Sequence, residues 1–142
     1  MTSAGSSGPL PADLAGVTAL VVDDNDFVRD LVANQLRQIG FTSVKTASDG
    51  GAALKFCDET PPGLMICDIN MEPMGGFELI TRLRDKGRTG GDRIPTIMLS
   101  SHAVPEFIDR ARQLEVDAFL VKPVKKDALA ERIRTVLHRK PS

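Results

Sequence analysis

Short β-rich runs alternate along this chain with stretches whose apolar residues recur every three or four positions. The runs at 17–22, 43–47, 64–68, 95–100 and 117–121 have the length and residue types of strands, and the stretches at 26–39, 49–58, 76–86, 104–114 and 125–138 have a helical period. Five strands each followed by a helix predict an α/β fold: a doubly wound, five-stranded parallel sheet with right-handed crossovers and helices on both faces. In the first helix Phe27 and Leu31 join Val28, Val32, Leu36 and Ile39 on one side, and Gly40 stands where a left-handed C-terminal cap is wanted. In the fourth, Val104, Phe107, Ile108, Ala111 and Leu114 form an apolar stripe, with Pro105 in a first turn that needs no amide hydrogen. Leu129, Ile133, Val136 and Leu137 repeat the pattern in the last. Such stripes are what a core-facing helix requires, so they read as core and not as grooves.

A length of 142 residues suits a single domain of ~100–150 residues. Residues 1–16, rich in Ser, Gly, Pro and Ala and without periodicity, read as a flexible N-terminal tail, leaving the domain at 17–140. With 18 basic and 19 acidic residues the net charge is −1, which argues against direct nucleic-acid binding. No apolar run approaches the ~18 residues of a membrane span, and no signal pattern opens the chain, so no membrane insertion and a cytoplasmic location are expected. Cys57 and Cys67 lack ligand spacing and read as buried reduced thiols. The glycine-bearing loop 86–93 (KGRTGGDR) falls between a helix and a strand, at the sheet edge away from strand-to-helix loops, and is expected to carry no chemistry. His102 and His138 are expected to face solvent, with His102 close to the strand ends.

The chemistry-bearing residues sit where buried strands stop. Asp23 and Asp24 follow the first run, Asp68 the third, Ser100 the fourth and Lys122 the fifth. If the runs are neighbouring parallel strands, three carboxylates, a hydroxyl and an ammonium converge at one carboxyl edge, where open α/β sheets place their ligand sites. That set suits a divalent cation and a phosphoryl group. Taken singly, Asp23-Asp24 could cap the first helix, Asp68 could cap its loop, and Ser100 could satisfy a strand-end backbone group.

Four blocks in order carry a resemblance to the receiver domains of two-component response regulators: VVDDN (21–25), CDINMEPMGG (67–76), PTIMLSS (95–101) and AFLVKP (118–123). The resemblance covers about 17–138 and implies the flavodoxin-like receiver fold with strand order 2-1-3-4-5. It implies that Asp68 is the phosphoacceptor and that Asp23 and Asp24 are the acidic pair. Lys122 matches the lysine, Ser100 the hydroxyl that follows the phosphoryl group, and Phe119 the aromatic switch. It implies as donor a phosphohistidine on a histidine kinase or histidine phosphotransfer protein. Its output would be contact with a further protein target through the helix 4, strand 5, helix 5 face.

Mg²⁺ takes hard oxygen ligands and keeps several waters. On the resembling pattern, Asp24, Asp68 and the backbone carbonyl of Asn70 would bind it directly and Asp23 through water; Mn²⁺ would suit the same donors. Mutual repulsion among the carboxylates is expected to raise at least one pKa. Asp68 would then attack the phosphoryl group to form an aspartyl phosphate, with charge stabilised by the cation and Lys122. A stand-alone receiver, with no second domain after the last helix, and a receiver from a larger regulator or hybrid kinase are equally coherent. A metal-dependent phosphohydrolase with an aspartate nucleophile wants an acid two residues on, where Asn70 stands. A flavin protein wants a Ser/Thr/Gly-rich phosphate cradle, absent from these short loops.

Several residues depart from the family pattern. Met71-Glu72-Pro73 places proline one position late and Gly75-Gly76 replaces the frequent Asp-Gly, so the loop after Asp68 is expected to run differently. Phe119 has no hydroxyl where tyrosine is more familiar, and Val124 is smaller than the common phenylalanine. The family also implies a cis Lys122-Pro123 bond.

Overall fold

The computed structural model describes residues 14–85, 94–102 and 104–138. Five strands, β1 (Thr18–Val22), β2 (Ser43–Ala47), β3 (Leu64–Asp68), β4 (Thr96–Ser100) and β5 (Ala118–Val121), form one parallel sheet in the order β2-β1-β3-β4-β5. They alternate with α1 (Asp26–Ile39), α2 (Gly50–Glu59), α3 (Gly76–Leu83), α4 (Pro105–Gln113) and α5 (Lys126–His138). The expected α/β architecture and strand order are both found.

Strand alternation divides the core into two layers. Ala19, Val21, Leu64, Ile66, Ile97 and Leu99 face one way and pack with Val32, Leu36, Leu129 and Ile133 of α1 and α5. Leu20, Val22, Met65, Cys67 and Met98 face the other way, with Ala53, Cys57, Leu79 and Ile80 of α2 and α3. β3 and β4 are buried along their whole length, as a central strand covered on both faces must be. The edge strand β2 exposes Lys45 and Thr46, and a charged edge discourages pairing with another sheet.

Helix ends follow local chemistry. Asn25 caps α1, its side-chain oxygen accepting the Val28 amide at 3.0 Å, so the acidic pair before it is not the cap. Gly40 has φ +140° and its amide closes on the Leu36 carbonyl, the glycine-dependent ending expected there. Asp49 caps α2 through the Ala52 amide, and Pro105 opens α4.

Four expectations need correction. The packed unit begins before residue 17: Leu14–Gly16 form a short 3₁₀ turn, Leu14 is buried in the α1/α5 layer, and Thr42 donates to the Ala15 carbonyl. α3 stops at Leu83 and not at 86: the Arg84 amide makes the last regular bond, to the Ile80 carbonyl, and the Asp85 amide takes the nearer Arg82 carbonyl, tightening the last turn. Phe27 is 76% exposed, so it lies off the stripe that Val32, Ala33 and Leu36 bury. α4 buries only Ala111, and Ile108 is exposed; Phe107 and Leu114 reach the α2/α3 layer only as half-buried side chains. Residues 1–13 of the expected tail, the loop 86–93 and the side chain of His138 lie outside the described residues. Among the described residues no helix is long and apolar enough to cross a membrane.

Candidate functional site at the carboxyl edge of the sheet

The sheet ladder runs one step past the strands and so aims the residues that follow. The Asp23 amide bonds the Ala47 carbonyl of β2 at 3.2 Å, the Ile69 amide bonds Leu99 at 2.9 Å, and the Lys122 amide bonds the Ser100 carbonyl at 2.8 Å. Parallel register therefore brings Asp23, Asp68, Ser100 and Lys122 to one edge, although Asp23 and Lys122 are 99 positions apart. Carboxylate oxygens of Asp23, Asp24 and Asp68 lie within 4.8 Å of one another.

Within this cluster the three acids have different standing. Asp23 is buried and fully engaged: one oxygen accepts the Asn25 amide at 2.9 Å and the other accepts Lys122 Nζ at 3.2 Å. Asp68 is buried and faces the same ammonium at 3.3 Å. Asp24 is exposed, and among the described residues its carboxylate makes no hydrogen bond or ion pair. Lys122 thus contacts two buried acids at once, its single charge balancing only one of them, and leaves the third to solvent.

Burial pushes the Asp68 carboxyl above its ordinary pKa, and the neighbouring Asp23 charge adds to this; the Lys122 ammonium and the Asn70 amide partly offset both. Repulsion was the cause expected from the sequence, but desolvation is the larger one, because Asp68 ends a fully buried strand. The native state therefore holds the Asp68 proton to higher pH than the unfolded chain. This destabilises the fold as pH rises through the native pKa and has no effect below the ordinary carboxylate range of about 4. Asp68→Asn should consequently raise stability without added metal, by on the order of 0.5–2 kcal/mol near pH 7. The gain should vanish toward pH 4. Paired urea melts in chelator at the two pH values measure it, and a variant less stable than wild type at pH 7 would make the carboxylate a structural group.

Ser100 is fully buried, and its hydroxyl donates to the His102 carbonyl at 2.7 Å while accepting the His102 amide at 3.1 Å. The strand-end role open to it from sequence is thus occupied, while its position beside Lys122 at the same edge is kept. His102 itself is exposed. Phe119, half-buried, packs against the α2/α3 layer that also holds Phe77 and Phe107, and its carbonyl accepts Arg132 Nε at 3.4 Å. Lys122-Pro123 is cis as the family pattern implies, and Glu72-Pro73 is cis as well.

Both cysteines are buried and reduced. Burial, then the Asp68 and Asp23 charges and then Cys57, push the Cys67 thiol far above its usual range, so it is unreactive beside the site.

Two contributors were not read from the sequence. Asn25 both caps α1 and holds Asp23, a role its place before an apolar-periodic stretch could have signalled. Gly76 lets α3 start directly against β3: its amide bonds the Ile69 carbonyl at 2.8 Å, and a Cβ there would overlap the Asp68 carbonyl. A glycine pair after Asp68 signals a turn, but not how close the backbones come.

The family model described as the response regulator receiver domain matches residues 19–134. Over 122 residues the chain is 36% identical to the sensor histidine kinase RcsC of Salmonella typhi, a match covering 81% of this chain and 12% of that protein. It is 32% identical over 120 residues to the chemotaxis protein CheY of Pseudomonas aeruginosa, covering 84% of this chain and 95% of CheY. Among solved structures, it resembles the receiver domain of the histidine kinase CKI1 from Arabidopsis thaliana complexed with Mg²⁺ and BeF₃⁻. That likeness has a TM-score of 0.77 and 27% identity, over 89% of this chain and 93% of that one.

Proposed function

This chain belongs to the response regulator receiver domains, and on that premise we propose that Asp68 accepts a phosphoryl group from a phosphohistidine on a histidine kinase or histidine phosphotransfer protein. The observation that carries this reading is the single ammonium of Lys122 set between two buried carboxylates, with a third carboxylate left to solvent beside them.

The donor set fits a hard divalent cation. Asp24, Asp68 and the Asn70 carbonyl would hold Mg²⁺ or Mn²⁺ directly and Asp23 would act through water, since both Asp23 oxygens already have partners in the chain. The bound cation would supply positive charge for clustered carboxylates and incoming phosphoryl oxygens. Asp68 does the covalent work: a carboxylate oxygen attacks phosphorus, the phosphorus–nitrogen bond breaks, and the donor imidazole leaves with its electron pair. Lys122, held by its amide to Ser100, presents its ammonium to the charge that moves onto the phosphoryl oxygens.

Incubation with Mg²⁺ and acetyl phosphate, followed by mass spectrometry, should give a base-labile adduct on Asp68 that is lost in Asp68→Asn. An adduct elsewhere would remove the proposal. Asp24→Ala should weaken Mg²⁺ binding about 10-fold or more and Asp23→Ala less, with both slowing adduct formation. Undiminished cation titrations of both variants would count against the site.

Output is proposed to leave through α4, β5 and α5, where Ile108 and Val121 are exposed. A phosphoryl group on Asp68 would offer the Ser100 hydroxyl a stronger acceptor than the His102 carbonyl, drawing the β4–α4 loop inward and freeing space for Phe119. Having no hydroxyl, Phe119 would shift between packed states by population. Ser100→Ala should therefore still accept phosphate yet lose most of the NMR shift change in residues 104–114 and 117–130. A full wild-type perturbation in that variant would exclude the Ser100 route.

A further inference from the structure

Arg29 lies one turn inside α1, and its guanidinium, 16% exposed, reaches back toward the start of the helix. Nη1 donates to the backbone carbonyl of Asp23 at 2.9 Å and Nη2 to Asp26 Oδ1 at 2.6 Å. The first bond completes Asp23: its amide is tied to β2, its carboxylate to Asn25 and Lys122, and its carbonyl to Arg29. That carbonyl belongs to the peptide that leads into Asp24. The peptide leaving Asp24 is tied back by the Asn25 amide to Asp23 Oδ1, so the Arg29 bond is what fixes the peptide entering it, and the Asp24 carboxylate itself has no partner among the described residues.

We propose that Arg29 is a positioning residue for the cation site: by clamping the Asp23 carbonyl it fixes the peptide entering Asp24, and so aims that carboxylate at Asp23 and Asp68. The inference rests on the functional reading above. It goes beyond that reading by assigning the aim of the exposed carboxylate to a cationic side chain that is not itself a ligand.

The sign of the effect separates this role from plain electrostatics. A fixed positive charge near three carboxylates opposes the arrival of a divalent cation, so Arg29 acting through its charge alone would weaken binding and its removal would tighten it. As a clamp it does the reverse. Lysine keeps the charge but is a point donor, and cannot span a carbonyl and a carboxylate as the planar fork does. Charge-only action therefore predicts tighter binding for Arg29→Gln and no change for Arg29→Lys, whereas positioning predicts a loss in both.

The test is Mn²⁺ binding to the full chain, followed by the electron paramagnetic resonance signal of the free ion, with melting in chelator recorded for each variant. Arg29→Gln and Arg29→Lys should each bind Mn²⁺ about 10-fold more weakly than wild type, the scale seen when a residue that orients a ligand is lost. In an Asp24→Ala background Arg29→Lys should cause no further loss, since the effect passes through that carboxylate. If Arg29→Gln melts below the assay temperature, Arg29→Lys carries the comparison. Unchanged or tighter binding in the folded variants, or an equal further loss in the Asp24→Ala background, overturns the inference and leaves the functional reading standing. A wild-type chain that binds no Mn²⁺ overturns the reading and the inference together.

Discussion

Lys122→Met should lower stability at pH 7.5 without metal by about 2–4 kcal/mol, somewhat below the cost of breaking a fully buried ion pair. Methionine keeps most of the length and the apolar stem, so packing around position 122 is largely retained and the loss is that of the ammonium. Nζ stands 3.2 Å from Asp23 and 3.3 Å from Asp68, and both carboxylate side chains are almost entirely removed from solvent. Without it two desolvated like charges face each other. Asp68 should then hold its proton to still higher pH, because burial and Asp23 persist while the lowering influence of Lys122 is gone. The deficit should accordingly shrink as the pH is brought down and Asp68 protonates, and adding Asp68→Asn to Lys122→Met should recover most of it. Urea melts of the single and double variants in chelator at two pH values measure this. A single variant as stable as wild type at pH 7.5 would mean that the pair of ion bridges contributes nothing. Phosphoryl acceptance should fall as well, by on the order of 10²–10³-fold, the usual cost of removing one donor aimed at developing charge.

Gly76→Ala should cost about 3 kcal/mol, the upper end of what overpacking costs. Its Cβ would overlap the Asp68 carbonyl and stand 2.8 Å from Met98 Cε and 3.0 Å from Ile69 Cα. Only the methionine tip can move aside cheaply; the other two contacts are backbone atoms of Asp68 and Ile69. In an exposed helix the same change would stabilise by roughly 0.5–1 kcal/mol, so the reversed sign isolates the close approach. Gly75→Ala is the control, since its Cβ meets the Ile69 carbonyl at 3.3 Å and asks for only a small adjustment. Denaturation of the two variants side by side measures the difference, and equal stabilities would show that the backbone at Asp68 yields freely. Because the strain falls on Asp68, adduct formation should be slower in Gly76→Ala even where the variant is folded.

Much of this molecule is written in short-range pattern. Strand alternation, the helical period from Val28 to Ile39, the Gly40 ending and the Pro105 start all depend on neighbours within a few positions, and all are found. Once the five βα units are legible, a parallel sheet follows. Its carboxyl edge must then gather whatever ends the strands, which is why Asp23, Asp24, Asp68, Ser100 and Lys122 could be placed together without coordinates.

Tertiary structure decided how those residues are shared and which surfaces are covered. The Lys122 ammonium meets Asp23 across 99 positions, and only strand order and register determine that Asp23 is saturated while Asp24 is not. The same holds for Ser100, whose hydroxyl could serve a ligand or its own loop and is held by His102, and for Arg29, whose clamp depends on the path of the β1–α1 turn. Phe27 and Ile108 look like core by period and are exposed, while Leu14 lies in a stretch that looks like tail and is buried. Periodicity reports which residues share a face, because the backbone repeats locally. Whether that face meets another element, and which of several charges finds a partner there, depends on groups distant in sequence, and only the closed sheet with its helices brings them into contact.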